Sequence, residues 1–468
     1  MRRTKVVCTI GPASSAPKTI RRLVALVDVF RINFSHGDRA SHLRDIVTIR
    51  GEARRAGRTV AILQDLPGPK IRIGKMAGGS AELTRGSSFM LTDSDVVGDS
   101  ARASVNYPRL LDSVEKGDLL HLADGLIRLR VDGRTEHGIL CTVLTGGTLS
   151  SGKGVNAPGV RMRVDYPTAA DSAHLKFGLE QGVDFVAASF VRTRADLRSL
   201  RRILPKESPM LVAKIEKREA VRNFDEILAE ADGIMVARGD LGIEVPIETV
   251  PSIQKRIVGK CSLVGKPVIV ATQMLVSMVN FPVPTRAEVT DVAAAVQEGA
   301  DAVMLSDETA VGKYPVEAAK MLDRISKSAE KMPAEASVTP KEPTTGETPE
   351  AIGRAACGLA NYVGAKAIVA PTQTGSTAKR VAMYRPRQPI VALCTEGRVA
   401  RQLKLYRGVI PIVVKQAKTT DWLFARADQA AERLGFAKKG DRIVVTSGTP
   451  GMRGTTNLIK VSVVGSKA

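Results

Sequence analysis

Residues Met210–Glu216 read MLVAKIE and residues Asp232–Asp240 read DGIMVARGD, two short apolar runs that each end in charge. Both are too short for a typical helix and almost continuously apolar, the pattern of parallel strands covered on both faces. Lys214 and Glu216 stand two apart on one strand and so share a face, while Asp240 closes the next run. An ammonium and two carboxylates on one rim suit a divalent metal with an oxyanion beside it, because Mg²⁺ takes one or two carboxylates plus water and substrate oxygens. The structural alternative is a buried ion pair tying two strands together. Asp240 on the neighbouring strand favours chemistry.

Runs of the same kind occur eight times before residue 310. They are KVVCTI from Lys5, VDVFRIN from Val27, TVAILQD from Thr59, VDFVAASF from Val183, MLVAKIE, DGIMVARGD, KPVIVATQ from Lys266 and DAVMLSDE from Asp301. Helical patterns separate them, such as TAADSAHLKFGLEQG, which Thr168 caps and Gly182 terminates. Eight consecutive strand–helix units favour a closed (β/α)8 TIM barrel over an open doubly wound sheet, with chemistry at the C-terminal strand ends. Residues 1–70 and 166–332 are expected to form the two parts of that barrel. Between them, 71–165 switches to short strands with Gly, Asp and Ser turns, an inserted all-β domain suited to a lid. Residues 333–348, rich in Pro, Thr and Glu, read as a linker. Residues 349–468 alternate helix and strand again and predict a smaller C-terminal α/β domain of about five strands.

Composition narrows the function. The 468 residues carry a net charge of +21, spread as pairs such as Arg21–Arg22 and Arg54–Arg55 rather than gathered in a tail. Aromatic residues are only 4%, too few for base stacking, so the expectation is no nucleic acid but a surface that attracts anionic metabolites. No stretch approaches an uncharged membrane span and the N-terminus lacks a secretory signal pattern, so no membrane association is expected. Five scattered cysteines without a CxxC pair fit a reducing, cytoplasmic setting.

The other strand ends add cations. Arg31 and Asn33 alternate onto one face before Phe34–Ser35–His36–Gly37, and a guanidinium fork there suits a transferring phosphoryl group. The third run ends in Asp65–Leu66–Pro67–Gly68–Pro69–Lys70–Ile71–Arg72. Gly239 and Gly242 follow the sixth, where a helix start would favour a carboxylate or phosphate. Thr272 ends the seventh within reach of a reacting centre. Ser306 and Glu308 end the eighth, where helix capping competes with a chemical role. In the small domain, Thr372–Thr377 and the loop with Gly448, Gly451 and Gly454 offer possible phosphate nests or ordinary turns.

With these residues in place, the chain resembles the pyruvate kinases along nearly its whole length. The resemblance rests on RINFSHG from Arg31, GPKIR from Gly68, KGVNAPG from Lys153, AKIEKRE from Ala213, ARGDLGIEVP from Ala237 and KPVIVATQML from Lys266. It continues through VPTRAEVTDVAAAVQEGADAVMLSDETAVGKYP from Val283 and YRPRQPIVALC from Tyr384. It implies a glycolytic transfer of phosphoryl from phosphoenolpyruvate to ADP, giving pyruvate and ATP through an enolate that is then protonated. It implies Lys214, Arg31 and Thr272 as catalytic residues, with Gly239 and Asp240 also on the substrate. Glu216 and Asp240 would hold Mg²⁺, or Mn²⁺ in its place. Asn33, His36, Arg72 and Lys153 match positions near the nucleotide.

One departure stands out. Many relatives hold K⁺ with the equivalents of Asn33, Ser35, Asp65 and Leu66 and carry glutamate where Lys70 stands here. A fixed ammonium at Lys70 is expected to replace that charge, so K⁺ is not required. The resemblance further implies a homotetramer, with a phosphorylated effector bound in the C-terminal domain near Thr374–Thr377, and no additional terminal domain. A phosphoenolpyruvate mutase or an aldol-type lyase would share the carboxylates but need neither the lid nor Lys153. A catalytically silent sensor on the same scaffold would be expected to have lost Lys214, Glu216, Asp240 or Thr272, and all four are present.

Overall fold

Each of the eight apolar runs forms a strand because β-branched residues alternate between two buried faces, one toward the shaft and one toward a helix. The computed structural model describes residues 1–107, 109–160, 165–205, 209–332, 347–416, 419–448 and 456–466. The strands are β1 (Lys5–Ile10), β2 (Val29–Asn33), β3 (Ala61–Asp65), β4 (Phe185–Ala188), β5 (Met210–Ile215), β6 (Gly233–Ala237), β7 (Val268–Ala271) and β8 (Ala302–Leu305). They pair in parallel in sequence order, and β8 closes onto β1 with Lys5 opposite Ala302 and Cys8 opposite Leu305. The helix Ala169–Glu180 starts as expected: the Thr168 hydroxyl accepts from Asp171 N, and Gly182 turns away with φ 63°.

The insertion after β3 is all-β. A six-stranded sheet includes Ser88–Thr92, Leu119–Leu122, Ile127–Thr135 and Gly138–Thr145, and a second sheet pairs Ser80–Leu83 with Gly147–Ser150. In Ile127–Thr135 the buried Ile127, Leu129 and Val131 alternate with exposed Arg128 and Arg130, the pattern of a sheet with one wet face. Residues 333–346 of the expected linker lie outside the described residues, and a helix runs Thr348–Tyr362. The C-terminal domain holds β9 (Ile368–Thr372), β10 (Ile390–Cys394), β11 (Val409–Val413), β12 (Arg442–Gly448) and β13 (Thr456–Val463), ordered β11-β10-β9-β12-β13 with only β13 antiparallel. All five cysteines are free and buried.

The lower end of the barrel is tied by four aspartates that precede alternate strands. Asp28 accepts from Val6 N (3.1 Å), Asp184 from Ile62 N (2.9 Å), Asp232 from Leu211 N (2.8 Å) and Asp301 from Val268 N (3.2 Å), so each carboxylate extends the ladder of the preceding strand. Three of them also hold the C-terminal domain. Lys404 reaches Asp28 at 2.6 Å, Arg401 reaches Asp184 at 2.6 Å and Arg385 reaches Asp301 at 2.7 Å.

Burial opposes the charge on Asp28, but Lys404, Arg2 and Lys5 prevail and hold its pKa well below the ordinary carboxylate value. Its contribution to stability is therefore complete above the unfolded carboxylate's pKa of about 3.9 and fades as pH falls toward the depressed folded value. Asp28→Asn is expected to cost about 3–5 kcal/mol at neutral pH by urea denaturation, because it leaves buried cations unpaired. The deficit should shrink below about pH 4, where the unfolded wild-type chain takes up a proton at Asp28 that the folded state does not. A deficit constant across that range would contradict the assignment.

Candidate active site

Strand parity builds the site. Val7, Val29, Leu63, Ala187 and Val212 belong to the apolar cluster that fills the shaft. Two residues further along the same strands, on the same face, come Thr9, Arg31, Asp65, Ser189 and Lys214. A dry layer is thus capped at the C-terminal lip by a polar one. Asp65 sits at its centre, fully buried. Its Oδ2 accepts from Arg31 Nε at 2.6 Å, and its Oδ1 lies 3.2 Å from both Lys214 Nζ and Ser189 Oγ. Arg31 also donates to Thr9 Oγ1 at 2.9 Å, and Lys214 to Ser189 Oγ at 2.7 Å. Burial again opposes the Asp65 charge, and Lys214 and Arg31 overcome it, holding the pKa below its ordinary value. For Lys214, burial lowers the pKa, but Asp65 and Glu216 more than offset this, so the ammonium stays charged.

Glu216 lies just past β5. Phe190 N donates to its Oε2 at 2.7 Å. Its Oε1 lies 2.8 Å from Lys214 Nζ, yet makes no hydrogen bond of acceptable direction and is shut away from water. Burial and the neighbouring Asp240 raise the Glu216 pKa against the pull of Lys214. A buried carboxylate oxygen with an unmatched lone pair, facing a second carboxylate, is a donor set that fits a hard divalent cation. Among the described residues no group of three or more His, Cys, Asp or Glu is arranged to hold a metal alone. Two carboxylates suit an ion that takes its remaining oxygens from substrate and water.

Asp240 lies in a short helix, Arg238–Glu244, that begins directly after β6. Its Oδ1 is 3.6 Å from Lys70 Nζ. Gly239 N donates to Thr272 Oγ1 at 2.7 Å, and that hydroxyl donates to Ala271 O at 2.6 Å. Thr272 has φ 70°, an outlier for a β-branched residue. Its carbonyl is gripped by Arg238 Nη2 at 2.8 Å, and Arg238 is anchored by Asp291 at 2.6 Å. Such a conformation costs about 1–3 kcal/mol and persists only when its surroundings over-determine it. Gly68, at φ 64°, passes so close to β4 that a Cβ there would meet Phe190 Cδ2 and Ser189 O at 2.9 Å.

The remaining expected residues are spread from the strand ends through the lid to the small domain. Asn33 Oδ1 accepts from Ser35 N at 3.1 Å, and Leu66 is buried with its N–H on Ala187 O at 3.0 Å. His36 is exposed; partial desolvation of its ring, then Arg72, Lys70 and Arg31, lower its pKa and favour the neutral imidazole. Arg72 reaches Gly152 O on the lid at 3.0 Å, and Lys153 is exposed there while its carbonyl accepts from Ile73 N at 2.8 Å. Glu308 turns inward as a backbone clamp, accepting from Ser306 N at 2.7 Å and Leu275 N at 3.0 Å. In the small domain Gly375 has φ 86° before the helix Ser376–Met383, and Thr377 Oγ1 lies 2.8 Å from Thr456 Oγ1. Gly451 and Gly454 lie outside the described residues.

Sequence reading did not single out Thr9, Ser189, Phe190 or Arg238 as parts of the site. Thr9 and Ser189 were open to the parity argument. The Phe190 amide and the Arg238 grip depend on residues more than 25 positions away and leave no local signal.

Comparison with known proteins agrees with the fold. The family model described as pyruvate kinase, barrel domain, matches residues 1–319, and that described as pyruvate kinase, alpha/beta domain, matches residues 350–462. A pyruvate kinase of Geobacillus stearothermophilus is 46% identical over 99% of this chain and 80% of its own length. One from Sporosarcina psychrophila is 44% identical over 99% and 81%, and pyruvate kinase 2 of Synechocystis is 44% identical over 99% and 79%. The chain belongs to the pyruvate kinase family.

Proposed function

We propose that the lip assembled around Asp65 carries out the family's reaction, with Arg31, Lys214 and Thr272 as catalytic residues. As a pyruvate kinase the chain moves the phosphoryl group of phosphoenolpyruvate to ADP, giving pyruvate and ATP. The observation that carries the assignment of roles is the two charged cations, Arg31 and Lys214, held 2.6 and 3.2 Å from one buried carboxylate. In-line phosphoryl transfer is governed by positioning and charge rather than by covalent chemistry. Arg31 offers its free guanidinium face to the phosphoryl oxygens. Lys214 stabilises the enol oxygen as its bond to phosphorus breaks and negative charge develops there. The Gly239 and Asp240 turn orients the substrate carboxylate, and Thr272 aligns the water through which the enolate carbon is protonated.

The family depends on a divalent metal. Mg²⁺, or Mn²⁺ in its place, would sit on Glu216 and Asp240 and supply positive charge to the substrate oxygens. Asn33, His36, Arg72 and Lys153 line the approach of the nucleotide, the last two from the lid side. A homotetramer in the cytoplasm, with a phosphorylated effector at Thr374–Thr377, completes the reading. No helix among the described residues is long and apolar enough to cross a membrane.

Lys70 supports catalysis without K⁺. Its ammonium already lies 3.6 Å from Asp240, while of the four candidate K⁺ positions Asp65 is engaged by Arg31 and Lys214, Asn33 Oδ1 accepts from the Ser35 amide, and Leu66 has an apolar side chain.

Lys214→Met should lower kcat at least about a thousandfold in a coupled assay of phosphoenolpyruvate and ADP, with circular dichroism unchanged. Turnover near wild type would refute the role of Lys214. Replacing K⁺ by a tetraalkylammonium salt should leave wild-type turnover within about twofold, whereas Lys70→Glu should lose at least about tenfold and recover with added K⁺. A wild-type enzyme that stalls without K⁺ would sink the charge-substitution reading.

A further inference from the structure

The barrel's lower end and the C-terminal domain line an open cavity of about 1060 Å³, on the side of the molecule that carries the base of the strands. Seven basic side chains and one carboxylate line it. The barrel contributes Arg3, Lys327, Lys331 and the carboxylate, Glu330, while the C-terminal domain contributes Lys366, Arg385, Arg387 and Arg407. Glu330 is already engaged, since its oxygens accept from Arg3 N at 2.9 Å and Thr4 N at 2.6 Å. It lies 4.0 Å from Arg407, too far to neutralise that guanidinium through a hydrogen bond.

Two of the cations, Arg385 and Arg407, are fixed in the wall, and Lys327, Lys331, Lys366 and Arg387 stand exposed around them. Arg385 has φ 49°, an uncommon conformation for a side chain of its size, and this aims its guanidinium at Asp301 (2.7 and 2.9 Å) from the cavity wall. Its Nε–H is buried without an acceptor. A buried charged donor left unmatched costs about 1–3 kcal/mol, so the ion pair with Asp301 has to hold Arg385 in this position, and it is the outer edge of the guanidinium that borders the cavity. Arg407 is fixed by Thr4 Oγ1 and by Ala300 O at 3.2 Å, and burial, then Arg385, push its pKa down to about 10. Among the described residues no ion pair or hydrogen bond engages the side chains of Lys331, Lys366 or Arg387. Val296, Pro389 and Phe436 supply apolar wall, which a carbon skeleton would cover.

We propose that this cavity binds a small metabolite carrying two phosphoryl groups, gripped between the barrel base and the C-terminal domain. Such a ligand matches a cavity with donors on opposing walls, and it relieves the mutual repulsion of Arg385 and Arg407. The site is distinct from the catalytic lip, which lies at the other end of the strands, and from the turn at Thr374–Thr377. Binding there would strengthen the joint between the two domains, because each supplies part of the grip.

Inorganic pyrophosphate is a suitable probe, titrated calorimetrically into the full-length chain without divalent metal. Four proteins separate the sites: wild type, Lys366→Ser/Arg387→Ser, Ser376→Asp to block the small-domain turn, and Lys214→Met to weaken the lip. Lys366 and Arg387 are exposed, so their replacement should leave the fold and basal turnover intact. The expected result is at least a tenfold weaker Kd for the double variant, with Ser376→Asp and Lys214→Met each retaining binding with a Kd within about threefold of wild type. Wild type should also gain thermal stability with pyrophosphate, and the double variant should not. Unchanged affinity in the double variant, or loss of all binding in either of the other two, would overturn the proposal.

Discussion

A single buried carboxylate governs the C-terminal lip of the barrel. Arg31 and Lys214 both point into a shaft whose next layer down is Val7, Val29, Leu63, Ala187 and Val212. Two cations in that setting repel each other and lack water to solvate them. Asp65 stands between them, with one oxygen on Arg31 and the other on Lys214 and Ser189. It makes their burial tolerable and fixes where they stand, so little reorganisation is left for the moment when charge develops on a substrate. Glu216 then faces a lysine already shared, which is why one of its oxygens is left without a hydrogen bond.

The two ends of the barrel solve opposite problems. At the base, carboxylates finish backbone ladders and accept cations from another domain, so Asp28, Asp184 and Asp301 are each matched twice over. At the lip, positive φ values at Phe190, Thr272 and Gln273, a crowded carboxylate pair and a glycine wedged against β4 hold unfavourable features in place. Strain at a site is sustained by stability elsewhere. The Arg238 grip on the Thr272 carbonyl is one visible means, joining the sixth and seventh strands across the strained turn.

Much of this was legible in the chain. The eight short apolar runs alternating with helical patterns predict the closed barrel, and the spacing Lys214–x–Glu216 places both groups on one face. Lys70 was visible as a cation near the rim, but its approach to Asp240 spans 170 positions and emerges only in three dimensions. Thr9 and Ser189 follow the same two-residue alternation as Arg31, yet hydroxyls at strand ends are common enough to pass unnoticed. Phe190 contributes a backbone amide, which no residue type announces. Glu308 shows the converse: an acid at a strand end that serves the backbone on both sides of it.

The aspartates below the barrel carry a mechanical meaning. Asp28, Asp184 and Asp301 each belong at once to a strand ladder and to a domain contact. The C-terminal domain is therefore coupled to the barrel as a lever is to its fulcrum, at three points around the rim. A tilt of that domain must either release a cation or shift the foot of a strand. Strands are stiff along their length, and Asp28 stands three residues before Arg31 on the same chain segment, roughly 10 Å away. A displacement at the base thus has only a short, rigid path to the guanidinium at the lip.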